Sequence, residues 1–117
     1  MLIVEDEEEV AKLLAVLLRI EGYQVLGPAA NGKEGVFMYG RDKPDLVIMD
    51  LMMPEMDGIT AMQKIFAMDP GARILVLTAR SDMPTVMHAL QLGAKSYVLK
   101  PFEGDLLYEK IREILAG

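Results

Sequence analysis

Cysteine is absent from the 117 residues. Disulfide scaffolds, thiolate metal sites and cysteine nucleophiles are therefore excluded, and a reducing compartment fits. Tryptophan is also absent, and 4 Tyr with 3 Phe are too few for a base-stacking platform. The single histidine, His88, cannot form a histidine metal cluster, and it falls inside a helical pattern where a structural or exposed role is expected. Basic residues are outnumbered: 12 Lys and Arg against 18 Asp and Glu leave a formal charge of −6. That makes a poor counter-ion for a phosphate backbone, so direct nucleic-acid contact is not expected. No apolar run is long enough to span a bilayer, and Met1-Leu2-Ile3-Val4-Glu5-Asp6 meets charge too early for a signal peptide. No membrane role is expected, and the expected compartment is the cytoplasm.

What is present supports a core. Apolar residues make up 52% and charged ones 26%, which suits one compact domain over residues 1–117. Short apolar runs at Met1 to Val4, Gln24 to Ala30, Leu46 to Met49, Ile74 to Leu77 and Tyr97 to Leu99 read as strands. Gly27-Pro28 breaks the second of them, which suggests an edge strand or an early end. Between the runs, apolar residues recur at helical spacing: Val10, Leu13, Leu14 and Leu17; Gly35, Val36 and Tyr39; Ile59, Met62, Ile65 and Phe66; Val86, Ala89 and Leu90; Leu107, Ile111, Ile114 and Leu115. Ser81 or Asp82 is expected to cap the fourth helix, with Pro84 in its first turn. Strand then helix, repeated, predicts an α/β fold with a doubly wound parallel sheet.

In a parallel sheet the carboxyl ends of all strands lie on one edge, where open α/β sheets place their ligands. Glu5 and Asp6 follow the first strand, Asp50 ends the third, Thr78 follows the fourth and Lys100 ends the fifth. Each has an ordinary reading. Asp50 could be a turn former or cap, Thr78 a cap and Lys100 a surface lysine, and the run from Glu5 to Glu9 could be an acidic first turn that favours the helix dipole. For Glu7, Glu8 and Glu9 that reading is preferred. Taken together on one edge, the others point elsewhere. Converging carboxylates repel, and a hard divalent cation such as Mg²⁺ relieves the repulsion. A lysine and a hydroxyl beside them suit a phosphoryl group, which a carboxylate can attack to form an acyl phosphate.

The chain resembles the receiver domain of two-component response regulators along essentially its whole length. The motifs are Leu2-Ile3-Val4-Glu5-Asp6, Asp45-Leu46-Val47-Ile48-Met49-Asp50, Met53-Pro54-Glu55-Met56-Asp57-Gly58, Leu77-Thr78-Ala79, Gly93-Ala94 and Tyr97-Val98-Leu99-Lys100-Pro101-Phe102. The resemblance implies a flavodoxin-like (βα)5 sheet ordered 2-1-3-4-5. It implies a signalling domain that catalyses only its own phosphorylation and dephosphorylation, with Asp50 as phosphoacceptor and a sensor histidine kinase or phosphotransfer protein as donor. Asp6 is the implied direct Mg²⁺ ligand. Glu5 would act through water, and Asp50 and the backbone carbonyl of Met52 would complete the metal set. Lys100 would pair with Asp50 and then with the phosphoryl oxygens, and the Lys100-Pro101 bond is expected to be cis. Thr78 and Tyr97 match the family's switch pair. An effector domain or target protein would read the switch, and a phosphorylation-dependent homodimer is left open.

Some residues depart from the pattern. Glu5 stands where Asp is commoner. Lys95-Ser96 replaces the acidic pair of the winged-helix subfamily, which weakens any carry-over of that subfamily's dimer. Met52 and Arg80 occupy flanking positions associated with acyl phosphate lifetime. Three other readings fit less well. A phosphatase of the haloacid dehalogenase type needs a second Asp at the position of Met52. A flavin binder needs a phosphate-cradling loop where Glu5 to Glu9 stand. A receiver that serves only as an interaction domain would not need the full set of Asp50, Asp6, Thr78 and Lys100.

Overall fold

A computed structural model describes residues 1–53, 55–79 and 82–117. Pro54, Arg80 and Ser81, each named above, lie outside the described residues. The elements alternate throughout: β1 (Leu2–Val4), α1 (Glu8–Ile20), β2 (Leu26–Ala29), α2 (Gly32–Asp42), β3 (Val47–Asp50), α3 (Gly58–Met68), β4 (Ile74–Ala79), α4 (Met83–Leu92), β5 (Ser96–Lys100) and α5 (Gly104–Ala116). All strand pairs are parallel, in the order β2-β1-β3-β4-β5. The flavodoxin-like order is therefore observed, with β2 and its Gly27-Pro28 at an edge, where a missing N–H costs no ladder bond.

Two apolar layers cover the sheet. Because strand side chains alternate, Leu2, Val4, Val47, Met49, Ile74 and Val76 pack on one face with buried residues of α2, α3 and α4. Ile3, Ile48, Leu75, Leu77 and Val98 pack on the other with α1 and α5. Burial on both faces is why these strands read as unbroken apolar runs.

The structure corrects several expected boundaries. β3 starts at Val47, one residue later than the apolar run, and ends on Asp50 as expected. β4 runs to Ala79, so Thr78 lies inside it rather than after it. In α1 the sheet-facing residues are Ala11, Leu14, Ala15 and Leu18, while Leu13 is 49% exposed. The small alanines allow close approach to the sheet, which leucine spacing alone did not reveal.

Two glycines set how tightly the loops close over β3. A Cβ on Gly58 would lie 2.5 Å from the Asp50 carbonyl oxygen and 2.7 Å from Leu51 Cα. A Cβ on Gly32 would collide with the Met56 carbonyl, which accepts the Gly32 N–H at 3.1 Å. The loop after Asp50 is thus clamped between the starts of α2 and α3. Asp57 caps α3 by accepting the Thr60 N–H at 2.8 Å, and Asn31 caps α2 by accepting the Glu34 N–H at 2.9 Å.

Candidate functional site

The carboxyl edge of the sheet gathers the ionisable residues. Glu5 extends β1 by one residue, its N–H bonded to the Ala29 carbonyl at 3.0 Å, and is only 2% exposed. Its Oε2 accepts the Glu7 N–H at 3.1 Å. Its Oε1 lies 2.8 Å from Lys100 Nζ, yet among the described residues no donor is aligned with it for a hydrogen bond. This oxygen has an ion pair but no directed partner, and it is buried.

Asp50 is 3% exposed. Its Oδ1 accepts the Met52 N–H at 3.2 Å, and its Oδ2 lies 3.4 Å from Lys100 Nζ. Lys100 also reaches Glu7 Oε1 at 3.3 Å. One ammonium is therefore shared among three carboxylates, and Glu5 is the nearest of them. Burial pushes the Asp50 carboxyl up, and the neighbouring Glu5 carboxylate pushes it further the same way. The Met52 N–H and Lys100 pull against this, and the balance lies at about 7. Burial alone would lower Lys100, but Glu5, Asp50 and Glu7 outweigh it and raise the ammonium above its usual value.

Glu5, Asp6 and Asp50 each bring one carboxylate oxygen within 4.8 Å of the others. Asp6 is exposed and the other two are buried. An oxygen-only donor set of this charge fits a hard divalent cation. The undirected Oε1 of Glu5 is the kind of buried polar atom that such a cation, or a water bound to it, satisfies. Met52, two residues beyond Asp50, has an exposed side chain.

Thr78 is fully buried and pairs in register with Leu99, beside the Ala79–Lys100 pair and next to Leu77, the partner of Asp50. Its hydroxyl donates to Asp82 Oδ2 at 3.3 Å. Tyr97 is half-buried against the α2–α4 layer, at the wall of a cleft of about 440 Å³ that also holds Phe102 and Leu106. The Lys100-Pro101 bond is cis, as expected, and Gly27-Pro28 is cis as well. His88 lies exposed on α4.

Two contacts escaped the sequence. Glu7 takes the N-cap position of α1 but makes no side-chain cap bond, and its carboxylate goes to Lys100. Asp82 sits at the N-cap of α4, as expected for one of the two candidates, but likewise makes no cap bond there and receives Thr78. The only signals were positional: one residue past Asp6, and four past Thr78.

The family model for the response regulator receiver domain matches residues 1–112. The chain belongs to that family. Phosphoryl acceptance and Mg²⁺ binding are general in it, and this chain is a CheY-like receiver domain of two-component signalling. It is 39% identical over 113 residues to the chemotaxis protein CheY of Thermotoga maritima, covering 97% of this chain and 94% of that one. It is 40% identical over 114 residues to CheY of Bacillus subtilis, covering 97% and 95%. Among solved structures, a chain of the CheX–CheY–BeF3–Mg²⁺ complex from Borrelia burgdorferi superposes with a TM-score of 0.91 at 32% identity, covering 97% of this chain and 86% of that one. A response regulator from Chloroflexus aurantiacus gives 0.92 at 35%, covering 99% and 96%.

Proposed function

We propose that Asp50 is the phosphoacceptor of a single receiver domain spanning residues 1–117, and that a phosphohistidine on a sensor kinase or phosphotransfer protein is the donor. The observation that carries this is the meeting of Glu5, Asp6 and Asp50 oxygens within 4.8 Å beside the Lys100 ammonium. In the transfer, an Asp50 carboxylate oxygen forms a bond to phosphorus as the P–N bond breaks, and the imidazole keeps the electron pair and takes a proton. Asp50 must be ionised to attack, and burial opposes that. Glu5, Asp6, Asp50 and the Met52 carbonyl would hold Mg²⁺, which when bound supplies the positive charge that keeps the carboxylates ionised and neutralises phosphoryl oxygens. Lys100 exchanges its Asp50 contact for a phosphoryl oxygen. Thr78 donates its hydroxyl to another, and Tyr97 turns inward toward the space that Thr78 leaves.

The domain acts as a switch and catalyses only its own phosphorylation and dephosphorylation. A kinase writes the state in the cytoplasm, and an effector domain or target protein reads it. Its net charge of −6 disfavours direct contact with nucleic acid. Intact mass after incubation with a small phosphodonor tests the reading. One phosphoryl gain that needs Mg²⁺ and disappears in Asp50→Ala is expected. A gain that persists in Asp50→Ala would overturn it.

A further inference from the structure

The Thr78 hydroxyl carries one proton, so it can donate to one acceptor at a time. In this structure that acceptor is Asp82 Oδ2, at 3.3 Å. Thr78 is fully buried at the end of β4, whereas Asp82 is the first residue at the mouth of α4. Asp82 would ordinarily turn its carboxylate to its own helix, where Asp is among the favoured caps. It makes no such bond, and its carboxylate goes to the strand instead.

From this arrangement we infer that Asp82 is a positioning residue that holds Thr78 in the unphosphorylated arrangement and competes with the phosphoryl group for its single proton. The inference rests on the proposed role of Asp50 and Thr78. Phosphorylation takes the hydroxyl from Asp82, and this unties the end of β4 from the start of α4. By linkage, whatever stabilises the Thr78–Asp82 contact weakens phosphoryl binding by the same factor, and removing Asp82 strengthens it. The contact is long for a hydroxyl donor, whose usual range ends near about 3.0 Å. The expected factor is therefore modest, roughly threefold.

Equilibrium binding of BeF3⁻ with Mg²⁺, a non-covalent stand-in for the phosphoryl group, reads this directly on the full chain. Asp82→Ala should bind roughly threefold tighter than the parent. Asp82→Asn, which keeps a neutral acceptor, should fall between them. In a Thr78→Val background the Asp82→Ala gain should vanish, which a general loosening of α4 would not produce. Equal or weaker binding in both Asp82 variants would overturn the inference, as would a gain that survives in Thr78→Val. Failure of the parent itself to bind BeF3⁻ would instead overturn the Asp50 reading, and this inference with it.

Discussion

At the amino rim of the sheet, backbone groups carry the strand ladders past the strand ends. Leu2 N–H meets the Leu46 carbonyl at 2.9 Å, Val47 N–H the Arg73 carbonyl at 2.9 Å, and Lys95 N–H the Ile74 carbonyl at 2.9 Å. The charged residues there, Arg73, Lys95 and Glu113, border an open cleft, and among the described residues neither Arg73 nor Lys95 makes an ion pair. The carboxyl rim does the opposite. Glu5 and Asp50 are buried with their carboxylates at Lys100, and Thr78 is buried with its hydroxyl on Asp82. Buried charge costs stability unless it is paired, and Lys100 divides its charge among three carboxylates. One rim is arranged for folding, and the other carries an electrostatic conflict that a cation or phosphoryl chemistry can resolve.

The largest expected effect comes from forcing the loop off Asp50. In Gly58→Ala, the added methyl meets backbone at 2.5 and 2.7 Å, which cannot move as a side chain would. A loss of about 3 kcal/mol in urea unfolding is expected, together with loss of Mg²⁺ binding as the loop shifts. Unchanged stability would mean that the clamp between the starts of α2 and α3 is looser than described.

Next is the conflict itself. The folded Asp50 carboxyl sits at about 7, above its ordinary 3.8, so the folded chain binds the extra proton in between. Its penalty is absent below about pH 4 and complete above about pH 7, and the parent should lose stability as pH rises through that window without Mg²⁺. Asp50→Asn should flatten the loss and be more stable at pH 8 by on the order of 2 kcal/mol. Thermal unfolding of both proteins at pH 5 and pH 8 checks it. Parallel pH profiles would show that Asp50 is not the residue that bears the cost.

The amino rim supplies the smallest effect. Arg73→Ala should change stability by less than about 0.5 kcal/mol and leave phosphoryl uptake as it was. A change in uptake would mean that the two rims are coupled through the sheet.

The sequence was most legible where chain direction alone places a residue. Asp50, Glu5 and Lys100 follow or end apolar runs, and parallel strands bring such ends together whatever their side chains do. Thr78 was located correctly at that edge but not in its element, because β4 continues through Ala79 in step with Lys100. Glu7 and Asp82 were not legible. Both stand at helix N-caps, where an acidic residue ordinarily serves its own helix, and only the three-dimensional position of Lys100 and Thr78 diverts them. In α1 the expected Leu14 is buried and Val10 and Leu17 pack against the core, while Leu13 is exposed; Val10 to Leu18 is apolar almost throughout, so periodicity could not say that Ala11 and Ala15 are also pressed to the sheet.

Reduction of the phosphorylated chain with borohydride, followed by peptide mapping, tests the central claim most directly, because it converts an acyl phosphate on aspartate to homoserine. The account predicts homoserine at position 50 alone, formed only after incubation with phosphodonor and Mg²⁺. Homoserine at position 6, or a phosphoryl group on Thr78 that borohydride leaves intact, would contradict it.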